Sequence, residues 1–90
     1  MKEKSLAQLR KKIDAADKAI LTALSKRKKL ERAVGVYKRK LGLKPLDAKR
    51  RDQMLKMRTA QGKSKGIQPE LVRKLFTLIH YYSLSVQKRK

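Results

Sequence analysis

The sequence predicts an all-α chain of three helices, and three observations predict it. A heptad-spaced apolar stripe runs almost unbroken from Leu6 to Leu41. No segment carries the alternating pattern of a half-buried strand. The periodicity breaks at residues that stop or start helices: Gly42 and Pro45, then Gly62, Ser64, Gly66 and Pro69.

The first helix is expected over about residues 5–41. Ser5-Leu6-Ala7-Gln8 has the S-x-x-Q form of a capping box, in which each end residue satisfies the other's backbone N–H. The stripe reads Leu6, Leu9, Ile13, Ala16, Ile20, Ala23, Arg27, Leu30, Val34, Tyr37 and Leu41, so ten of its eleven positions are apolar or aromatic. Gly42 is a natural stop, Lys38, Arg39 and Lys40 suit the negative end of the helix dipole, and Pro45 blocks continuation. At 1.5 Å per residue such a helix is about 55 Å long. A compact chain of this size is only about 30 Å across. The remaining residues cannot cover both ends, so the stripe calls for a helix from a second copy and predicts a homodimer.

The second helix is expected over about 47–59, with Asp47 as N-cap and some of Met54, Leu55 and Met57 buried. Residues 60–67 read as a loop because Gly62, Ser64 and Gly66 cluster there. The third helix is expected over about 69–86. Pro69 suits its first position and Glu70 its positive end. Its inner face reads Val72, Phe76, Ile79, Ser83 and Val86, flanked by Leu71, Leu75, Leu78 and Tyr82. Lys88, Arg89 and Lys90 form a frayed basic end. No repeat or linker divides the chain, so residues 1–90 form one domain.

Composition narrows the chemistry. With no cysteine and one histidine, His80, a disulfide, a thiolate or His-rich metal site and a cysteine nucleophile are excluded within one chain. No run of apolar residues spans a membrane, and the charged N-terminus lacks the apolar core of a signal peptide, so a cytoplasmic location is expected. Twenty-seven Lys and Arg face seven Asp and Glu, which favours an anionic partner. That partner is either a nucleic acid or a small carboxylate- or phosphate-bearing metabolite. One Phe and three Tyr are too few for a stacking platform on single strands.

The polar residues that interrupt apolar faces are the candidates for the site. Arg27 is the only charge in the stripe. A guanidinium there needs an anion, unless it sets the register of a coiled coil or snorkels to water. Lys38 lies eleven residues on, which returns to nearly the same face some 16 Å along the axis. It also belongs to a run of three cations. Arg10 lies about 25 Å before Arg27 and a quarter-turn around, so it reaches the same ligand only from a second, antiparallel chain. Ser83 continues the inner face of the third helix and Gln87 follows one turn later; both directly precede the chain end, where fraying also accounts for them. Arg51 and Asp52 sit on a face of the second helix that either looks inward or pairs in solvent, Asp52 with Lys56. His80 lies off the inner stripe and reads as a surface or packing residue.

Together these residues resemble the all-α chorismate mutases over nearly the whole chain, from about Leu6 to Gln87. The resemblance runs through Leu9-Arg10-Lys11-Lys12-Ile13-Asp14, Ala23-Leu24-Ser25-Lys26-Arg27 and Val34-Gly35-Val36-Tyr37-Lys38, then Arg51-Asp52, Leu75-Phe76, Ser83 and Gln87. No single motif is specific; the combined order and spacing is. The resemblance implies an intertwined dimer with two shared sites and a Claisen rearrangement of chorismate to prephenate in aromatic amino-acid biosynthesis, without cofactor or metal. It implies that Arg27, and Arg10 of the other subunit, bind carboxylates. Lys38 then contacts a carboxylate and the breaking ether oxygen, Gln87 donates to that oxygen and Ser83 holds a carboxylate. Arg51 organises the local charges, and Asp52 stands where the family usually has a glutamate for the ring hydroxyl. Asp52 is a methylene shorter, the connection from Lys38 to Pro45 is one residue longer than usual, and the acid common just before Arg51-Asp52 is either replaced by Ala48 or shifted to Asp47. The hydroxyl end is therefore where related activities on the same fold, isochorismate pyruvate lyase and aminodeoxychorismate mutase, compete. A basic helical nucleic-acid-binding protein is the alternative of another class, and non-specific nucleic-acid binding is compatible with either.

Overall fold

The computed structural model of the chain describes residues 5–44 and 46–88. Among them every regular element is a helix: α1 (Leu6–Lys40), α2 (Ala48–Ser64) and α3 (Pro69–Lys88). Pro45, expected to block α1, and Arg89 and Lys90 of the basic end lie outside the described residues, as does the start of the chain before Ser5. The chain divides into two compact units, Met1–Leu30 and Glu31–Lys90, with the boundary inside α1. Among the described residues no helix is long and apolar enough to cross a membrane.

The N-terminal unit is the first part of α1. Its start is the reciprocal cap expected from Ser5 and Gln8: the Ser5 N–H donates to Gln8 Oε1 at 2.9 Å, and the Gln8 N–H donates to Ser5 Oγ at 3.2 Å. The seam through Leu6, Leu9, Ile13, Ala16, Ile20, Ala23 and Leu30 is exposed throughout, because a single helix has nothing within its own unit to lay against it.

In the second unit α1 ends in a Schellman motif. Gly42, at φ 68°, donates its N–H to Arg39 O at 3.2 Å, and Leu43 donates to Lys38 O at 2.7 Å. The turn that carries Lys38 and Arg39 is thereby closed and held. Asp47 caps α2 as expected, its Oδ1 accepting the Arg50 N–H at 3.0 Å.

The expectation for the end of α2 needs correcting. The helix does not stop near Thr59 but continues to Ser64, leaving a short connection in place of the loop expected over 60–67. Gly62 is a buried helical residue, not a loop residue: a Cβ there would meet the Val72 Cγ2 methyl of α3 at 2.5 Å. Thr59 and Ser64 turn their hydroxyls back onto the carbonyls of Leu55 and Gln61, both at 2.7 Å, so neither opens the helix. Gly66 is the actual stop. At φ 76° it donates to Lys63 O, and Ile67 donates to Gly62 O, a second Schellman motif.

Pro69 opens α3 and Glu70 in its first turn pairs with Lys74 at 3.0 Å. The helix runs through Lys88, two residues beyond the expected end. α2 and α3 pack through Met54 and Val72, both buried, with Leu55, Phe76, Ile79 and Val86 half-buried. Of the three candidates Met54, Leu55 and Met57, Met57 stays exposed. The Arg58 guanidinium sits over the Phe76 ring at 5.9 Å. Leu71, Leu75, Leu78 and Tyr82, beside the inner face, are exposed.

Candidate active site

Gln87 is in the last turn of α3 and yet only 7% exposed, so fraying does not describe it. Three residues of α1 hold it. Arg39 Nη1 donates to the Gln87 backbone carbonyl at 2.7 Å, satisfying an oxygen that the end of a helix leaves without an intrahelical donor. Lys38 Nζ donates to Gln87 Oε1 at 3.0 Å. Gln87 Nε2 donates to a Glu31 carboxylate oxygen. Glu31, Gly35, Lys38 and Arg39 are spaced by four, three and one residues, which puts them along one side of α1. Gly35, buried, is the reason α3 comes this close. A Cβ there would lie 2.5 Å from Gln87 O and 2.8 Å from Gln87 Cα.

Beside this contact is a cavity of about 210 Å³ lined by Gly35, Lys38, Arg39, Leu43, Gln87 and Lys88. Three of the six carry positive charge and none is acidic. An amide, an ammonium and a guanidinium at one concave surface are the groups that suit an oxyanion.

The other expected residues are placed as follows. Ser83, one turn before Gln87, is 7% exposed, and these two are the buried polar side chains among the described residues. Arg51 and Asp52 lie together on α2, Arg51 Nε standing 3.5 Å from Asp52 Oδ1, with the carboxylate largely in solvent. Arg10 is exposed and Arg27 half-buried, both in the N-terminal unit. His80 is half-buried on α3, with Nε2 enclosed. Within the second unit, then, Lys38 and Gln87 are brought into contact, and Arg51 and Asp52 form a separate pair.

The profile of one protein family, described as Chorismate mutase type II, matches residues 9–88. The chain belongs to the chorismate mutase type II family. The match takes in every candidate residue from Arg10 to Gln87. Chorismate-mutase-type function follows from the family in general terms, with chorismate as the substrate the family implies.

Three residues around Gln87 were not singled out from the sequence: Glu31, Gly35 and Arg39. Gly35 carried a usable signal, since a glycine inside a strong helix costs about 1 kcal/mol relative to alanine and commonly marks a close approach. Glu31 carried one too. It is the only acid between Asp17 and Asp47, and it stands four residues after Arg27 and seven before Lys38, on the face those two define. Arg39 was hidden within the run Lys38-Arg39-Lys40.

Proposed function

We propose that the chain is a chorismate mutase proper, converting chorismate to prephenate by Claisen rearrangement in aromatic amino-acid biosynthesis, as a cytoplasmic homodimer with two shared sites. The observation that carries this reading is the part-buried Lys38–Gln87 pair, 3.0 Å apart, at a cation-lined cavity. As the substrate's C–O bond breaks, its ether oxygen gains negative charge. Lys38 and Gln87 Nε2 are both hydrogen-bond donors, and donors aimed at that oxygen stabilise the transition state more than the ground state. Arg27 holds one carboxylate, and Arg10 of a second copy holds a carboxylate as well; their planar forks suit both jobs. Ser83 holds a carboxylate, and Asp52, organised by Arg51, takes the ring hydroxyl. These clamps keep a flexible substrate in a near-attack geometry.

Two features support the shared site. The apolar positions of α1 from Leu6 to Leu41 are exposed, more surface than a single chain leaves to water without a partner. The cavity, at about 210 Å³, is also below the range of roughly 300–1,000 Å³ usual for small-molecule sites, as expected of a site completed by another chain.

The deciding experiment follows the loss of chorismate by absorbance and identifies the product, with isochorismate and aminodeoxychorismate assayed alongside. Prephenate from chorismate, with weaker turnover of the other two, is the expected result. Pyruvate release from isochorismate, or turnover of aminodeoxychorismate alone, replaces this reading with one of its relatives. The net charge of +20 also favours weak nucleic-acid binding with a steep inverse salt dependence. If that binding survives near-physiological salt while all three substrates stay unchanged, the chain is a nucleic-acid-binding protein instead.

A further inference from the structure

The amide of Gln87 is held at both ends by opposite charges. Its carbonyl oxygen accepts from the Lys38 ammonium and its NH₂ donates to the Glu31 carboxylate. The flipped amide would set NH₂ against an ammonium and a carbonyl against a carboxylate, two contacts without a shared proton. Charge therefore selects one orientation, and the choice is made jointly by Glu31 and Lys38 from one side of α1.

We propose that Glu31 is a positioning residue for the rearrangement: its carboxylate fixes the Gln87 amide so that the second Nε2 proton is presented to the substrate's ether oxygen. The proposal rests on the function proposed above. Gln87 is buried and its backbone is clamped by Arg39 and by contact with Gly35, so the one freedom left to the side chain is rotation and flipping of the amide. Glu31 removes that freedom. As an anion accepting from Nε2 it also polarises the amide, making the remaining N–H a better donor. Its role passes through Gln87 and requires no contact with substrate. A negative charge close to a dianion opposes ground-state binding, so the benefit of Glu31 falls on the chemical step.

The test uses the full-length chain. Glu31→Ala is expected to lower kcat roughly tenfold, as loss of a hydrogen bond to a charged group does, with KM unchanged or lower. Glu31→Gln retains an acceptor and should restore most of kcat. In a Gln87→Ala background the Glu31→Ala effect should disappear. A raised KM with unchanged kcat, or a Glu31→Ala effect that persists without Gln87, overturns the proposal. A readout independent of activity is the Gln87 side-chain ¹⁵N–¹H pair, assigned by its loss in Gln87→Ala. Two resolved proton resonances are expected to move in Glu31→Ala and to be largely kept in Glu31→Gln. If they do not move in Glu31→Ala, Glu31 does not hold the amide and the proposal fails, whatever the substrate. If they move but chorismate is not rearranged, the positioning contact stands as structure and the catalytic role is lost with the activity.

Discussion

Gly35 and Gln87 are in backbone contact: a Cβ built on Gly35 would stand 2.5 Å from the carbonyl oxygen of Gln87 and 2.8 Å from its Cα. Both obstacles are main-chain atoms near the end of a helix, which move only if α3 moves. The lysine–glutamine pair at the cavity depends on this approach, since Lys38 lies one turn from Gly35 on the same helix.

Gly35→Ala sets two effects against each other. Alanine favours the helix by about 1 kcal/mol, while overpacking of this kind costs about 1–3 kcal/mol. The expected outcome is a small fall in Tm with a much larger fall in kcat, because displacement of Gln87 acts on the chemistry directly. Thermal melts and steady-state kinetics on the same preparation check it. A stabilised protein with full activity would show that α3 is free to move outward.

Gly62→Ala meets a different obstacle, the Cγ2 methyl of Val72 at 2.5 Å. Valine is stiff at χ1, so the clash is not relieved by a rotamer change. A loss of about 1–3 kcal/mol is expected from Gly62→Ala alone. Combined with Val72→Ala, which removes the methyl, the total loss should be less than the sum of the two single losses. Denaturant unfolding of the four proteins measures the coupling; strict additivity would count against the contact.

Lys38→Ala removes the ammonium from the cavity and from Gln87 Oε1. The expected loss is about 10²–10³-fold in kcat, the range for deleting one donor to a developing oxyanion. An unchanged kcat would take Lys38 out of the chemistry.

Arg10→Ala and Arg27→Ala test the sharing of sites between copies. Each alone should be nearly inactive. Mixed and allowed to exchange, one site of each mixed dimer regains both arginines, so about a quarter of wild-type activity is expected from random pairing. No recovery in verified mixed dimers would mean that the two arginines serve the site from one chain.

Much of the helical architecture was legible because its causes are local. The Ser5–Gln8 cap, the Asp47 cap and the stop at Gly42 each depend on residues within one turn, and each is found where the spacing placed it. The end of α2 was misjudged because its cause is not local. Gly62, Ser64 and Gly66 look alike as helix breakers, and only the Val72 methyl resting on Gly62 separates the packing glycine from the stopping one at Gly66. Ser83 and Gln87 were picked out because they break an apolar face, but burial had to distinguish them from a frayed end.

By itself, then, the sequence determined three helices, the caps at Ser5 and Asp47, the stop at Gly42, the apolar stripe of α1 and the set of polar residues that break the pattern. These follow from periods of three, four and seven residues, which any reader of the chain can count. Tertiary structure decided which of those residues meet. Glu31 and Gln87 are 56 positions apart, and no periodicity relates them. Their contact arises because a glycine lets two helix backbones touch, and because an amide between an ammonium and a carboxylate has one low-energy way to face.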